Sequence, residues 1–172
     1  MVFSIFVWMR ILSLIFCLLL VITSCRLEEQ DLQQIDQVIR FYVKDANGKD
    51  LLNSKLSGTY KEVLLKDLGG ERDQVPIGSA SVKKDRDTLS YIEYVAGARR
   101  NLTDSLSPEL KRYRSDILVQ YRRSTADSTD SDSMSIFYEW TPKLFSVKQI
   151  NYNGKKVFEK PSGGANTFTI VK

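Results

Sequence analysis

From Gln37 onward the apolar residues of this chain tend to alternate with polar ones instead of recurring every third or fourth position. A period of two belongs to half-buried β-strands, whose side chains point to opposite faces in turn, and it argues against amphipathic helices as the main building unit. Ile39, Phe41 and Val43 fall on one face of a first strand, with Arg40, Tyr42 and Lys44 on the other. Asp45-Ala46-Asn47-Gly48 then reads as a tight turn, because Asn and Gly tolerate positive φ, and Leu51-Leu52 restart an apolar edge. Further strands are predicted at Tyr60–Leu65, closed by Gly69-Gly70, and at Thr88–Val95. Asp116–Arg122 is another, with Ile117, Val119 and Tyr121 facing inward, and Ile136, Tyr138 and Trp140 face inward on the next. Phe145–Tyr152 and Lys155–Phe158 flank Asn153-Gly154, the strongest hairpin signal in the chain, and Thr167–Val171 closes the sheet.

This spacing predicts an all-β fold, a β-sandwich of about 7–8 antiparallel strands spanning residues 37–172. One helical turn is expected at Ser105–Arg112, where Ser107 supplies an N-cap and Pro108 takes the first helical position. Pro161–Asn166 is expected as a loop.

The N-terminal segment follows different rules. Ile11–Ile22 is an almost unbroken apolar run behind Arg10, shorter than the roughly 20 residues a spanning helix needs, and it ends in Thr23-Ser24-Cys25. Met9-Arg10 in front of that run makes a complete short leader, so translation is expected to start at Met9. The order Leu20-Val21-Ile22-Thr23-Ser24-Cys25 resembles the bacterial lipobox. That resemblance implies cleavage after Ser24, a signal peptide over residues 1–24, and a mature chain anchored in a membrane through lipid on Cys25. Several acyl chains on one residue suit such an anchor, since each buried methylene contributes about 0.8 kcal/mol and one chain alone holds poorly. Residues 25–36, mostly polar with few core-forming residues, are expected to form a flexible tether.

The remaining composition narrows the chemistry. The chain contains no histidine, and its two cysteines, Cys17 and Cys25, both lie in or beside the leader. The body therefore lacks the commonest general base and metal ligand, and it has no thiol for a disulfide or a nucleophile. The net charge of +4, which falls by one when Arg10 leaves, is spread among acids, so nucleic acid is not an expected partner. Two local basic groups stand out, Arg99-Arg100 and Lys111-Arg112 with Arg114, and read as solvated strand or loop charges.

The run Phe41-Tyr42-Val43-Lys44-Asp45-Ala46-Asn47-Gly48-Lys49-Asp50-Leu51-Leu52-Asn53 and the closing Ile150-Asn151-Tyr152-Asn153-Gly154-Lys155 resemble small lipoproteins of the Bacteroidetes group. The resemblance implies an immunoglobulin-like sandwich and supplies no catalytic residue. The acids Glu28, Glu29 and Asp31 loosely resemble the export signal of surface lipoproteins in that group, which implies a place at the outer membrane.

Three constellations are candidates for function. Asp127, Asp130 and Asp132 sit close together in Ser124–Ser135 and could offer oxygen ligands to Ca²⁺, but the glycine and distal glutamate of an EF-hand are missing, and a solvated loop is the better reading. Tyr138, Trp140 and Tyr152 would form a sugar-stacking platform if their rings faced water; the alternation instead assigns Tyr138 and Trp140 to the core. Glu62, Asp87, Glu93, Asp116 and Glu139 lie on or beside strands, where a pair could serve a hydrolase only if a cleft brought two of them together. The expectation is therefore a lipid-anchored protein-interaction module of the cell envelope with no catalysis and no cofactor, followed by a glycan-binding lipoprotein and then a carboxylate-dependent hydrolase. Metabolic labelling with palmitate should be lost in Cys25→Ala and kept in Cys17→Ala; labelling that survives the Cys25 change refutes the anchor.

Overall fold

The computed structural model describes residues 32–72, 74–77, 81–124 and 129–172. Among them twelve strands form two sheets, and no helix occurs. In chain order the strands are β1 (Gln34–Asp36), β2 (Ile39–Lys44), β3 (Glu62–Asp67), β4 (Val75–Pro76), β5 (Ser81–Lys84) and β6 (Ser90–Tyr94), followed by β7 (Asn101–Ser107), β8 (Leu110–Arg122), β9 (Asp130–Trp140), β10 (Leu144–Tyr152), β11 (Lys155–Glu159) and β12 (Asn166–Val171). The larger sheet runs β1-β10-β9-β8-β3-β4, with β11 also on β10 and β7 also on β8; the smaller runs β12-β2-β6-β5. Gln33–Lys172 forms one compact unit.

The period-two pattern decides which side chains meet between the sheets. Ile39, Phe41 and Val43 are buried on β2, Ile117, Val119 and Tyr121 on β8, and Met134, Ile136 and Tyr138 on β9, as the alternation requires. On β6 the core set is Ser90, Ile92 and Tyr94, and Val95 is exposed. Each large side chain removed from water contributes about 1.5–3 kcal/mol, so the shared core is the main stabilising element. Phe41 and Phe168 stack at 5.5 Å between β2 and β12, and Phe158 of the other sheet lies 6.2 Å from Phe168.

Three expectations need correction. Ser105–Arg112 is the tip of the β7–β8 hairpin, not a helical turn. Glu109 N–H does bond to Ser107 Oγ at 3.2 Å, as a cap would. The chain nevertheless continues as strand, because Lys111 and Arg112 pair with Trp140 and Glu139 of β9 and outweigh the local signal. The sheets are also not wholly antiparallel: β12 lies parallel to β2 through six residue pairs, and β1 parallel to β10 through three. Finally, β9 begins at Asp130, so the acidic stretch is partly strand.

Turn chemistry explains the hairpins. Asn153 and Gly154 have φ of 48° and 77°, the double positive of a type I′ turn between β10 and β11. A second kind of turn occurs twice. Asp45 N–H donates to Lys49 C=O at 3.1 Å and Asp45 Oδ1 accepts Lys49 N–H at 2.9 Å; Asp85 and Leu89 repeat both bonds at 3.0 and 2.9 Å. The left-handed position is Gly48 (φ 81°) in the first copy and Thr88 (φ 65°) in the second. A β-branched residue there costs about 1–2 kcal/mol, partly offset by the lower entropy of its unfolded chain. Thr88→Gly should therefore stabilise the fold by about 0.5–1 kcal/mol and Gly48→Thr should destabilise it by about 1 kcal/mol or more in urea unfolding; equal stability of Thr88→Gly and the parent chain would contradict the strain at Thr88.

Candidate functional site

Two groups of side chains gather the residues singled out in the sequence. The first lies between the sheets where β9 begins. Asp132 shares the inward parity of Met134 and Ile136 and is 7% exposed, so its carboxylate needs partners within the protein. It finds three: Tyr152 OH donates to Oδ2 at 2.7 Å, Asn153 Nδ2 donates to Oδ1 at 2.7 Å, and Lys172 Nζ pairs with Oδ2. Lys172 Nζ also reaches Asp130 Oδ2 at 3.0 Å, which accepts Tyr60 OH at 2.9 Å. Tyr121 OH completes the chain at 2.7 Å from Tyr152 OH. The Lys172 ammonium stands 4.7 Å from the centre of the Tyr121 ring, and the Arg123 guanidinium 4.6 Å from that of Tyr60.

The electrostatics make this network a holder of charge. Burial pushes the Tyr60 hydroxyl up to about 12, helped by its bond to Asp130. Burial raises Tyr121 and Tyr152 further still. All three are neutral donors at physiological pH. Burial also acts to raise Asp132, but the hydrogen bonds from Asn153, Lys172 and Tyr152 outweigh it and hold the carboxyl below its ordinary value.

The second group lies at the other end of the larger sheet. Tyr138 and Phe145 stack at 5.2 Å, and Tyr113 meets Phe145 edge-on at 6.3 Å. Arg100 lies over Phe145 at 4.6 Å and Tyr138 at 5.5 Å, and Lys111 covers Trp140 at 5.0 Å. Burial raises the Tyr138 hydroxyl, and Tyr94 opposite it adds to the effect. Beside this group runs β7, exposed along its whole length after Asn101, with Leu102 at 56% and Leu106 at 49% facing solvent. Across the same sheet a concavity of about 430 Å³ is lined by Thr103, Arg112, Tyr113, Phe137, Tyr138, Glu139, Lys148 and Gln149.

The structure thus brings Tyr152, Asp130 and Asp132 into one network and places Tyr138 and Trp140 elsewhere. Tyr138 and Tyr152 are buried, and Trp140 is half-buried beneath Lys111. Asp130 and Asp132 are bridged by an ammonium, and among the described residues no group of three metal-ligating side chains occurs. Asp127 and Cys25 lie outside the described residues. Of the strand carboxylates, Glu62 pairs with Arg122 at 2.9 Å, Glu93 with Arg40 at 3.0 Å and with Lys83, Asp116 with Arg114 at 2.8 Å, and Glu139 with Lys148 at 3.2 Å.

Sequence reasoning missed Lys172, Tyr60, Leu102 and Leu106. One signal for the first was present: a carboxylate at an inward position of an otherwise apolar strand face demands a cation from elsewhere in the chain. Arg100, exposed as a solvated charge is expected to be, and Lys111, partly buried, also lie over aromatic rings.

These features define the class: an all-β protein of two facing sheets, β-sandwich-like, with a buried tyrosine–carboxylate–lysine network. Comparison with known proteins adds no relative, since no family model, curated protein or solved structure matches the chain.

The lowered pKa of Asp132 gives the acid dependence its sign. Its contribution to stability is complete above the unfolded carboxyl value of about 3.9 and is lost as pH falls through the lower folded value. Lys172→Met strands a buried carboxylate and should cost roughly 3 kcal/mol near neutral pH. That loss should shrink as acid protonates Asp132. Chemical unfolding of the variant and the parent chain at pH 7 and at roughly pH 2–3, below the folded Asp132 value, checks this, and a loss that stays constant across the two would refute it.

Proposed function

We propose that the mature chain is an envelope lipoprotein, held by lipid on Cys25 at the outer membrane, and that it binds another envelope protein through the β7–β8 arm. The observation that carries this is the exposure of β7 with Leu102 and Leu106 turned to solvent beside a rigid aromatic group. Exposed large apolar side chains gathered together mark interaction surfaces, and aromatic and Arg residues such as those beside them supply most of the binding energy in many interfaces. The leader's lipobox and the two segments similar to Bacteroidetes lipoproteins support the location. The immunoglobulin-like assignment of the sandwich is part of the same proposal. Two facing sheets built largely of antiparallel hairpins support it, while the parallel β2–β12 pair and the twelve strands depart from the seven-strand arrangement.

A glycan ligand is the second reading. Its support is the concavity across the larger sheet, where Phe137 offers an aromatic edge among Thr103, Glu139, Lys148 and Gln149. The concavity shares Thr103 and Arg112 with the β7–β8 arm, whereas Leu102 and Leu106 do not line it.

A photo-crosslinking residue in place of Leu102 in the full chain should capture one envelope protein in living cells. Leu102→Ser with Leu106→Ser should weaken that complex by about 2 kcal/mol, roughly thirtyfold, with unfolding unchanged. Glycan binding that is lost in Phe137→Ala while the leucine pair is dispensable would replace the first reading with the second.

A further inference from the structure

Each sheet edge exposes unpaired backbone groups, and soluble proteins blunt such edges with charge, proline, bulges or shortness. Most edges here are blunted. β1 has three residues, and β4 has two and contains Pro76. β5 carries Lys83 and Lys84, and β11 carries Lys155, Lys156 and Glu159. β7 has two register shifts against β8 and contains Asp104.

β12 has none of these devices. It ends the order of the smaller sheet, and its six residues, Asn166-Thr167-Phe168-Thr169-Ile170-Val171, pair with β2 in unbroken register and include no charge and no proline. Thr, Phe, Ile and Val are strong strand formers. The charges that flank it are withdrawn from the edge. Lys172 turns inward to Asp130 and Asp132, and Lys160 bonds to Asp36 at 2.6 Å and to Asn166 Oδ1 at 2.9 Å.

Hydrogen bonding shows which groups are free. Lys172 N–H donates to Lys44 C=O at 2.8 Å, so by alternation Phe168 and Ile170 also face β2. Thr169 and Val171 then turn their N–H and C=O groups outward, and Thr167 its C=O, its own N–H donating to Ala165 C=O at 2.9 Å. Their side chains are exposed on the outer face, Val171 at 66%.

We infer that this edge pairs with β12 of a second copy of the chain, antiparallel across a two-fold axis through Thr169. The strand is complementary to itself. The axis sets Thr169 beside Thr169 of the second copy and Thr167 beside its Val171, with no like charges opposed and with threonine pairs that favour cross-strand contact. The smaller sheets then join into one sheet of eight strands. The surface is separate from the β7 arm, and the inference does not rest on the interaction proposed for that arm.

Residues opposed in a hydrogen-bonded antiparallel pair have Cα atoms about 5.5 Å apart, within disulfide reach. Thr169→Cys in the full chain, oxidised in whole cells that express it, should give a product of twice the chain's mass on non-reducing gels. Ser131→Cys, exposed on the outer face of β9, should stay at the level of the parent chain, whose Cys17 and Cys25 set the background. Differently tagged Thr169→Lys and Thr169→Glu chains should each fail to co-purify with their own kind and should co-purify with one another. A Thr169→Cys band no stronger than the background, or a crosslink to a chain of another mass, overturns the pairing.

Discussion

A carboxylate on the inward face of a strand has to be neutralised where it stands, and Asp132 imposes that constraint on this fold. Its partner Lys172 follows directly on β12, so satisfying one buried charge brings the last strand of the smaller sheet against the start of β9 in the larger one. The opposite end of β12 is fixed by a similar device: Asn166 Nδ2 donates to Asp36 Oδ1 at 2.8 Å and to Val38 C=O at 3.1 Å. Between the two clamps, the Phe41–Phe168 stack and Phe158 fill the core. The strand is thus held by directional polar bonds at its ends and by nondirectional burial in its middle. Burial forbids a slip by one residue but keeps the same face inward after a slip by two, which the end clamps forbid.

Most of the strands were legible in the sequence because alternation and turn chemistry are local. Ile39-Phe41-Val43 and Ile117-Val119-Tyr121 show their buried face without any knowledge of partners, and Asn153-Gly154 announces its turn type. What was hidden depends on pairing between distant segments. Nothing near Ser107-Pro108-Glu109 distinguishes an N-cap from a hairpin tip, and the choice is made by β9, some thirty residues further on. Nothing in Thr167–Val171 says that its neighbour is β2 and that the two run the same way. Thr88 hid a turn because a β-branched residue reads as strand, and only comparison with Asp45–Lys49 shows the same bonds made around a worse residue.

The candidate sites were legible in the same uneven way. Aromatic content was visible, but its division into a hydroxyl network around Tyr152 and a ring stack around Phe145 follows from strand position. The outward carboxylates were visible too, and each of Glu62, Glu93, Asp116 and Glu139 stands beside a cation on a neighbouring strand or, for Asp116, two residues away on its own. Exposed pairs of this kind contribute about 0.2–1 kcal/mol each. Their larger effect is on register, since a slip by one residue would send these charges into the core.

The β7–β8 arm follows from strand length. β3 covers β8 only from Ile117 to Arg122, yet β8 starts at Leu110 and β9 runs on to Trp140. The excess needs its own support, and two features supply it: β7 covers the edge that β3 leaves bare, and Tyr113, Tyr138, Phe145 and Trp140 give the overhang a core, closed from outside by Arg100 and Lys111. A surface held this firmly loses little conformational freedom when it meets a partner. Ordering costs of about 0.5–1.5 kcal/mol per immobilised side chain are met during folding instead of during binding. Rings that a sugar platform would turn to water are instead packed inward here, beneath the hairpin whose β7 strand carries Leu102 and Leu106.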